Sequence, residues 1–251
     1  MNLLQSIILG ITQGITEWLP ISSSGHLAIL QNLFKLEQDI SFDVFLHFAT
    51  LLVLFIFFWK DIVKVLKAFF RFDFKSEYGK LAIFIIIGSV VTAIIGFSFK
   101  ELFTSFFSNL IVIGIALLVT GTLLFFSEKR LSSKELNYSD SFLIGLMQGI
   151  AIIPGISRSC STISVGLLKG VDKLKVFRFS FLLAIPAIIG ANLFEFKNLV
   201  FNVNVLVGFI FAFIFGYISL IFLKRIVLTN KFHYFAWYCW VLGILVLVLS
   251  L

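Results

Sequence analysis

The chain has 251 residues, of which 60% are hydrophobic and only 13% are charged. Soluble domains carry about 25% charged residues, so a water-facing surface is excluded, and with it a soluble enzyme, a disordered chain or a disulfide scaffold. The mean hydropathy of +1.09 predicts instead one all-α, polytopic membrane domain over residues 1–251. The net charge of +7 is typical of loop lysines at a membrane surface, so no nucleic-acid partner is expected.

The predicted elements alternate between broken and continuous apolar stretches. Residues 2–33 are apolar but are interrupted by PISSSGH, which leaves halves too short to cross a bilayer and favours a re-entrant helical hairpin. Three transmembrane helices are predicted to follow at about 42–59, 81–99 and 108–126. A second hairpin is predicted over 141–169, interrupted by PGISRSCST, and three further transmembrane helices at about 177–194, 203–223 and 233–251.

The two halves of the chain share this element order and a short motif. GITQG at residues 10–14 recurs as GLMQG at residues 145–149, a shift of 135 residues. We therefore expect one repeat over 1–127 and a second over 136–251. An odd number of crossings inverts the second repeat relative to the first, so the two hairpins enter from opposite faces and meet near the midplane.

Basic residues are distributed unevenly over the predicted loops. Three of them, Lys35, Lys100 and Lys197, lie on one side, and Arg158 lies inside the second hairpin. The other sixteen lie on the opposite side, which is therefore predicted to be cytoplasmic, with both termini facing outward. These sixteen are Lys60, Lys64, Lys67, Arg71, Lys75, Lys80, Lys129, Arg130, Lys134, Lys169, Lys173, Lys175, Arg178, Lys224, Arg225 and Lys231.

Glu17 is a carboxylate within an apolar helix and has no basic residue near it in sequence. An ionised carboxylate at membrane depth costs about 2.5 kcal/mol or more, so such residues usually face a cavity and carry a function. The alternative is a helix end at the membrane interface, where the cost is small. Gln13 lies one turn earlier on the same face and can hydrogen bond beside the carboxylate.

Arg158 is the corresponding ionisable residue in the second hairpin. Its guanidinium fork suits phosphate oxygens, although neutralising Glu17 is an alternative role. Proline and glycine break the helix just before it, so the next half-helix presents free N–H groups and a positive dipole end. We expect a phosphate-binding cradle here, formed with Gly155, Ser157, Ser159, Ser161 and Thr162.

The first break contains Ser22, Ser23, Ser24, Gly25 and His26. Serines near a turn are often plain helix caps, but here a histidine follows them, and histidine is the usual proton-transfer side chain near neutral pH. A carboxylate, a histidine, hydroxyls and an arginine in one cavity fit phosphoryl transfer or phosphate hydrolysis. The remaining histidines, at positions 47 and 233, are interpreted as structural.

The two breaks resemble known signatures. QGITEWLPISSSGH resembles the first signature of the bacterial undecaprenyl-diphosphate phosphatase family, the bacitracin-resistance proteins, and PGISRSCST resembles the second. The segments FDVFLHFATLLVLFIFFWKDI and FRFSFLLAIPAIIGA are similar to those that follow each signature in the family. The resemblance covers nearly the whole chain and implies hydrolysis of undecaprenyl diphosphate to the monophosphate carrier used in peptidoglycan synthesis, and bacitracin resistance.

The resemblance also implies roles for individual residues. Glu17, Ser23, His26 and Arg158 are implied as catalytic, and Glu17 and Gln13 as ligands of a divalent cation, Mg²⁺ or Ca²⁺. Ser22, Ser24, Gly25, Gly155, Ser157, Ser159 and Thr162 are implied to contact phosphate. The family pattern further implies a multi-pass protein of the bacterial plasma (inner) membrane whose active site opens to the outer face. Cys160 and Cys239 depart from that pattern, where glycine and arginine are common.

Two questions stay open at this level. The nucleophile is either Ser23 assisted by His26, or water with Glu17 or His26 as the base. The rival function is a polyprenyl-phosphate transporter or flippase, since inverted repeats with half-helices also describe carriers. A nucleophile and a base beside the arginine favour the enzyme. The expected partners are a polyprenyl diphosphate lipid and the bilayer, with a homodimer left open.

Overall fold

The computed structural model describes residues 1–36, 40–128, 133–195 and 202–250. Over these ranges the chain forms twelve α-helices, a short 3-10 helix at Phe232–Tyr234 and no β-strand beyond one isolated bridge between Lys134 and Val171. Five helices are long and apolar enough to cross a membrane, and a bent helix pair makes a sixth candidate. The prediction of an all-α polytopic membrane protein is confirmed.

The helices follow one another with short connections. They are α1 (Leu3–Trp18), α2 (Ser23–Leu33), α3 (Ile40–Phe57), α4 (Trp59–Phe70), α5 (Glu77–Ser98), α6 (Lys100–Phe106), α7 (Leu110–Ser127), α8 (Tyr138–Ile150), α9 (Arg158–Leu168), α10 (Lys173–Glu195), α11 (Val203–Leu228) and α12 (Phe235–Ser250).

The six predicted transmembrane segments correspond to α3, α5, α7, α10, α11 and α12. The first one ends earlier than predicted, because the chain bends by 78° between Phe57 and Trp59 and continues as α4. The charged residues of α4 explain the bend, since a helix that carries several lysines is more stable at the membrane surface than within the bilayer. Neither α4 nor the short helix α6 was anticipated from the sequence.

Both predicted hairpins are present as pairs of short helices. Helices α1 and α2 have 16 and 11 residues, and α8 and α9 have 13 and 11, so each is short for a membrane crossing. Helices α1 and α8 also begin alike, because Asn2 and Asn137, again 135 residues apart, both form reciprocal capping boxes. The two hairpins therefore start with the same local structure.

The glycines of the shared motif mediate close helix packing. A Cβ on Gly10 of α1 would collide with the backbone oxygen of Gly208 on α11. A Cβ on Gly145 of α8 would lie 2.6 Å from the Cα of Gly88 on α5. Each hairpin thus packs against the second long helix of the other half, as an internal two-fold relation predicts. The inversion of the halves relative to a membrane stays a prediction.

An aromatic part of the core lies against the hairpins. Trp18 packs edge-on against Phe181 of α10, with ring centroids 5.5 Å apart, and Phe58 stacks on Phe181 at 6.0 Å. Trp18 and Phe181 are fully buried. Aromatic packing of this kind fixes the end of α1 against α10, and so positions the residues next to Trp18.

Candidate active site

The turns of the two hairpins are in direct contact. Ser22 Oγ accepts hydrogen bonds from the backbone N–H of Gly25 at 3.3 Å and from that of Gly155 at 3.1 Å. Gly155 has a φ of +94°, and a Cβ there would lie 2.6 Å from the carbonyl oxygen of Ile113. Both the backbone conformation and the lack of space require glycine at this position. The two breaks are therefore in contact, as predicted, and their meeting near the membrane midplane stays a prediction.

The second turn is also held by Thr120 of α7, a residue that no pattern in the sequence singled out. Its Oγ1 donates to the carbonyl of Gly155 at 2.9 Å and accepts from the N–H of Ser157 at 3.1 Å. Ser159 Oγ donates to the carbonyl of Leu19 at 3.2 Å and joins this turn to the first hairpin. The Gly155 carbonyl, the Ser157 N–H and the Leu19 carbonyl are therefore satisfied within the protein, as non-helical backbone in a membrane protein requires.

Glu17 is the centre of the hydrogen-bond network at the turns. Its Oε1 lies 2.9 Å from Arg158 Nη2. Its Oε2 accepts hydrogen bonds from Ser23 Oγ at 2.6 Å and from Gln13 Nε2 at 3.1 Å. The Glu17 side chain is only 7% exposed, so it lies inside the protein and not on its surface. Four residues predicted from the two motifs thus come together.

His47 also contacts Glu17, although the sequence suggested a structural role for it. Its Nε2 lies 3.3 Å from Glu17 Oε2, and its Nδ1 lies 2.8 Å from the backbone oxygen of Asp43. The carbonyl can only accept, so Nδ1 carries a proton and Nε2 is left to exchange one with the carboxylate. The signal available in the sequence was an ionisable residue inside an apolar helix, the same signal that singled out Glu17.

His26 is placed differently from the expectation. Its Nδ1 lies 2.7 Å from the carbonyl oxygen of Ser22, and its Nε2 lies 2.7 Å from the hydroxyl of Tyr238. Both ring nitrogens are therefore engaged, one by the residue that caps its own helix and one by α12. The Ser23 hydroxyl donates to Glu17 and does not pair with His26. In this arrangement the nearest base to Ser23 is Glu17.

Arg158 is enclosed by aromatic rings as well as by Glu17. Its guanidinium carbon lies 5.3 Å from the Trp18 ring centroid and 5.6 Å from that of Phe181. Cation–π contacts at these distances hold the guanidinium plane in place. Within the described part of the chain its Nη1 is buried without a hydrogen-bond partner. One donor of the fork is therefore free for an anion.

Two helix N-termini converge on the site. Helix α2 begins at Ser23 and α9 begins at Arg158, and serines at positions 22 and 157 cap them by accepting from the N–H groups of Gly25 and Cys160. The other first-turn N–H groups have no partner within their helices, and the helix dipole makes each end electropositive. Such ends are suited to phosphate.

Most of the predicted phosphate ligands form hydrogen bonds that hold the two turns together. Ser157 Oγ caps α9 and lies 3.2 Å from Ser159 Oγ. Thr162 Oγ1 is fully buried, donates to the Arg158 carbonyl at 2.8 Å and lies 2.6 Å from Ser180 Oγ. Ser24 is the most accessible of the hydroxyls, partly exposed and 3.3 Å from Ser22 Oγ. Phosphate contacts by these residues, and by Gly25 and Gly155, stay predictions.

The described residues contain no cluster of three or more His, Cys, Asp or Glu side chains that could hold a metal ion. The oxygen ligands that Mg²⁺ and Ca²⁺ prefer are nevertheless present in the Glu17 carboxylate and in Gln13 Oε1, which is buried and unpaired among the described atoms. Mg²⁺ commonly completes its shell with water and substrate phosphate. The donor set therefore fits a cation shared with a diphosphate, and does not form a complete protein cage.

The two cysteines lie directly behind the turns as free thiols. Cys160 is fully buried, with Sγ 3.5 Å from the carbonyl oxygen of Thr120. Cys239 is also buried, with Sγ 3.7 Å from the carbonyl oxygen of Pro20. Each thiol therefore packs against the backbone of the site and takes no direct part in it.

An apolar cavity of about 770 Å³ lies between α1, α11 and α12. Its lining includes Ile15 and Thr16 of α1, and Leu19, the residue that follows α1. Tyr238 lines the cavity and also bonds His26, so the two regions are neighbours. Most of the lining is apolar and suits a hydrocarbon chain, and Arg225 and Lys231 add two cationic side chains.

The chain is similar to known proteins over nearly its whole length. A family model described as bacitracin resistance protein BacA matches residues 6–245. A protein of Halothermothrix orenii named undecaprenyl-diphosphatase is 43% identical over all of this chain and 99% of its own length. Proteins of the same name from Methanosphaera stadtmanae and Desulfosudis oleivorans are 39% and 43% identical, with coverage of 97% or more on both sides. The chain therefore belongs to the bacitracin resistance protein BacA family.

Proposed function

We propose that this protein hydrolyses undecaprenyl diphosphate to undecaprenyl phosphate and inorganic phosphate. This reaction returns the lipid carrier to cell-wall synthesis and confers bacitracin resistance. The observation that carries the proposal is the juxtaposition of Ser23, Glu17 and Arg158 at two helix N-termini, in a chain whose relatives carry the name of this activity. A nucleophile, a base and an anion-binding group therefore lie together in one site.

The terminal phosphoryl group is held mainly by Arg158. Its unpaired Nη1 and the first-turn N–H groups of α2 and α9 provide donors that are fixed before the substrate arrives. Charge that develops on the phosphoryl oxygens in the transition state is stabilised most by such preorganised donors. Trp18 and Phe181 keep the guanidinium from rotating away.

Ser23 is the proposed nucleophile and Glu17 its base. The Ser23 hydroxyl transfers its proton to Glu17, and the oxygen attacks the terminal phosphorus. The bond from that phosphorus to the bridging oxygen breaks, and undecaprenyl phosphate leaves with the bridging oxygen and its electron pair. Water then attacks the phosphoserine, giving inorganic phosphate and the free hydroxyl. Direct attack by water, with Glu17 as the base, is the competing route.

A divalent cation, Mg²⁺ or Ca²⁺, would be held by Glu17 and Gln13 together with diphosphate oxygens. When bound, it supplies positive charge that offsets the charge of the diphosphate. Glu17 and Arg158 alone sum to no net charge, so a multiply charged diphosphate needs such compensation. His47 adds a further proton-bearing group at Glu17.

The membrane setting follows the same proposal. The protein lies in the bacterial plasma membrane with its active site open to the outer face, and part of the polyprenyl chain lies in the apolar cavity beside Leu19. Whether the protein acts as a homodimer stays a prediction. No contact of the described residues favours the carrier function over hydrolysis.

The test is phosphate release from undecaprenyl diphosphate by the purified protein in detergent, where vectorial transport is impossible. Acid-quenched single turnovers with labelled terminal phosphate should show phosphoserine, which Ser23→Ala abolishes and Ser24→Ala retains. If no phosphate is released, the proposed hydrolase activity is refuted and the lipid-carrier transporter remains as the alternative function. Phosphate release without phosphoserine, with substantial turnover by Ser23→Ala, would retain the hydrolase and assign the attack to water.

A further inference from the structure

Helix α4 (Trp59–Phe70) is inclined by 78° to α3, the apolar helix that precedes it. If α3 crosses the bilayer, α4 lies almost parallel to the membrane plane. The helix belongs to the side of the protein that carries most lysines and arginines. Its placement is therefore that of an interfacial helix.

One face of α4 is fixed to the rest of the protein. Asp61 lies 3.3 Å from Arg178 Nε on α10 and accepts a hydrogen bond from the Tyr78 hydroxyl on α5 at 3.3 Å. Ala68 is buried, and Ile62 packs against the main core. These contacts set the rotation of α4 about its own axis, and so determine which residues point away from the protein.

A second face of α4 is apolar and mostly exposed, with Val63 half-buried. Trp59, Val63, Leu66 and Phe70 follow the spacing i, i+4, i+7 and i+11, which aligns them along the helix. Trp59 is 61% exposed and Phe70 is 72% exposed. Aromatic and aliphatic side chains on an interfacial helix normally insert among lipid chains.

The third face is basic and runs beside the apolar one. Lys60, Lys64, Lys67 and Arg71 repeat the same spacing one residue later, and all four are exposed. Lys64 also donates a hydrogen bond to the Tyr78 hydroxyl at 3.3 Å, so Lys60, Lys67 and Arg71 carry most of the charge that faces away from the protein. The one acidic residue within α4, Asp61, lies on the docked face. The side of the helix that meets the lipid headgroups thus carries positive charge only.

We propose that α4 is a binding surface for anionic phospholipids. The apolar face inserts into the leaflet, and the basic face binds the phosphate groups of lipids such as phosphatidylglycerol at the same level. The adjacency of the two faces favours a lipid over an acidic protein, because a protein partner would leave Trp59 and Phe70 to be covered separately. This inference is independent of the proposed catalytic activity.

A local quenching measurement tests the proposal. A fluorophore on Leu66→Cys, in a Cys160→Ala, Cys239→Ala background, is placed in phosphatidylcholine vesicles containing equal fractions of spin-labelled phosphatidylglycerol or spin-labelled phosphatidylcholine. At low salt we expect spin-labelled phosphatidylglycerol to quench the fluorophore about twofold more than spin-labelled phosphatidylcholine does. At high salt we expect this difference to become smaller. In the triple variant Lys60→Gln, Lys64→Gln, Lys67→Gln, the two spin-labelled lipids should quench the fluorophore equally.

Two controls make the result specific. Val90 is exposed on α5. A fluorophore on Val90→Cys should be quenched equally by the two lipids, both with the unaltered α4 and with its three lysines replaced. A matched triple variant, Lys80→Gln, Lys169→Gln, Lys173→Gln, should keep the preference at residue 66. Equal quenching by both lipids in the unaltered helix, or a preference that survives loss of the three α4 lysines, would overturn the proposal. Absence of quenching by either lipid would also overturn it.

Discussion

Arg158 and Glu17 lie 141 residues apart in the chain and form an ion pair at 2.9 Å, each supplied by a different hairpin. The pair exists only while the two turns stay in register, which Ser22 ensures through its bond to Gly155. Each charge lowers the desolvation cost of the other, which favours the ionised form of both inside the protein. The free Nη1 distinguishes Arg158 from a purely neutralising partner.

Arg158→Lys should fail almost as badly as Arg158→Ala. An ammonium can pair with Glu17 but lacks the second donor of the fork, so we expect phosphate release to fall by about 10²-fold or more. Steady-state phosphate release in detergent measures this. Arg178→Lys is the matched control, since Arg178 pairs with Asp61 and Glu77 away from the turns. Turnover of Arg158→Lys within about threefold of the unaltered protein would contradict the assigned role.

Glu17→Gln should leave a folded protein that is nearly inactive. The amide keeps the shape of the carboxylate but can neither accept the Ser23 proton nor bind a cation strongly, so we expect a loss of roughly 10²–10⁴-fold together with the cation dependence. The measurement is activity against Mg²⁺ or Ca²⁺ concentration.

Asp140→Asn is the control for Glu17→Gln. Asp140 is a fully buried carboxylate paired with Lys134, remote from the two turns in sequence and in contacts. Its loss should lower thermal stability while leaving turnover per folded molecule and the cation requirement in place. An active Glu17→Gln protein with an unchanged cation requirement would mean that the Glu17 carboxylate is structural.

His47→Gln should lower activity by about 10²-fold, because it removes the ionisable group that faces Glu17 Oε2. Glutamine retains a hydrogen-bond donor, so the protein should still fold. His233→Gln is the comparison, since His233 bonds Glu128 at the end of α7. Phosphate release per folded molecule should fall for His47→Gln and stay within about twofold of the unaltered protein for His233→Gln. Equal activity of the two variants would return His47 to a structural role.

The residues that the sequence identified and those that it missed differ in a physical way. Glu17 and Arg158 were found because a charge inside an apolar helix is costly and needs a reason. Thr120 was missed because a threonine in an apolar helix is common and costs little when it bonds its own backbone. Its role depends on the backbone of a turn 35 residues away, which no local pattern reports.

The fold also has features that the sequence predicted and features that it did not. The element order and the two breaks were predictable, because helix length and interruption are local properties. The sequence did not predict that α1 pairs with α11 through Gly10 and Gly208, or that α8 pairs with α5. A glycine in a helix indicates a close contact but does not indicate which helix makes it. The bend before α4 was missed because the apolar stretch runs through Trp59 without interruption.

Ser22→Ala should destabilise the protein without touching the substrate-binding arginine. The variant leaves the buried N–H groups of Gly25 and Gly155 without their acceptor, at a cost of about 1–3 kcal/mol. Ser22→Gly should cost less, because Ser22 has a φ of 68° and glycine adopts that conformation freely. Thermal unfolding in detergent measures the relative stability of the two variants. Ser24→Ala is the control and should change the stability little. Equal stability of Ser22→Ala and the unaltered protein would show that the turns do not depend on this contact.

The orientation of the hairpins is tested by thiol labelling from outside. The charge asymmetry predicts that Lys35, at the end of α2, faces outward, and that Lys67 on α4 faces the cytoplasm; both side chains are exposed. Single cysteines at these positions, in a background in which the buried Cys160 and Cys239 are replaced by alanine, should therefore label differently. In intact cells a membrane-impermeant reagent should modify Lys35→Cys and spare Lys67→Cys, and permeabilised cells should show both modified. Labelling of both positions in intact cells would remove the basis for the inverted repeat, because α3 alone separates them. The Glu17–Arg158 pair would remain, but its access from the outer face would then have no support from the topology.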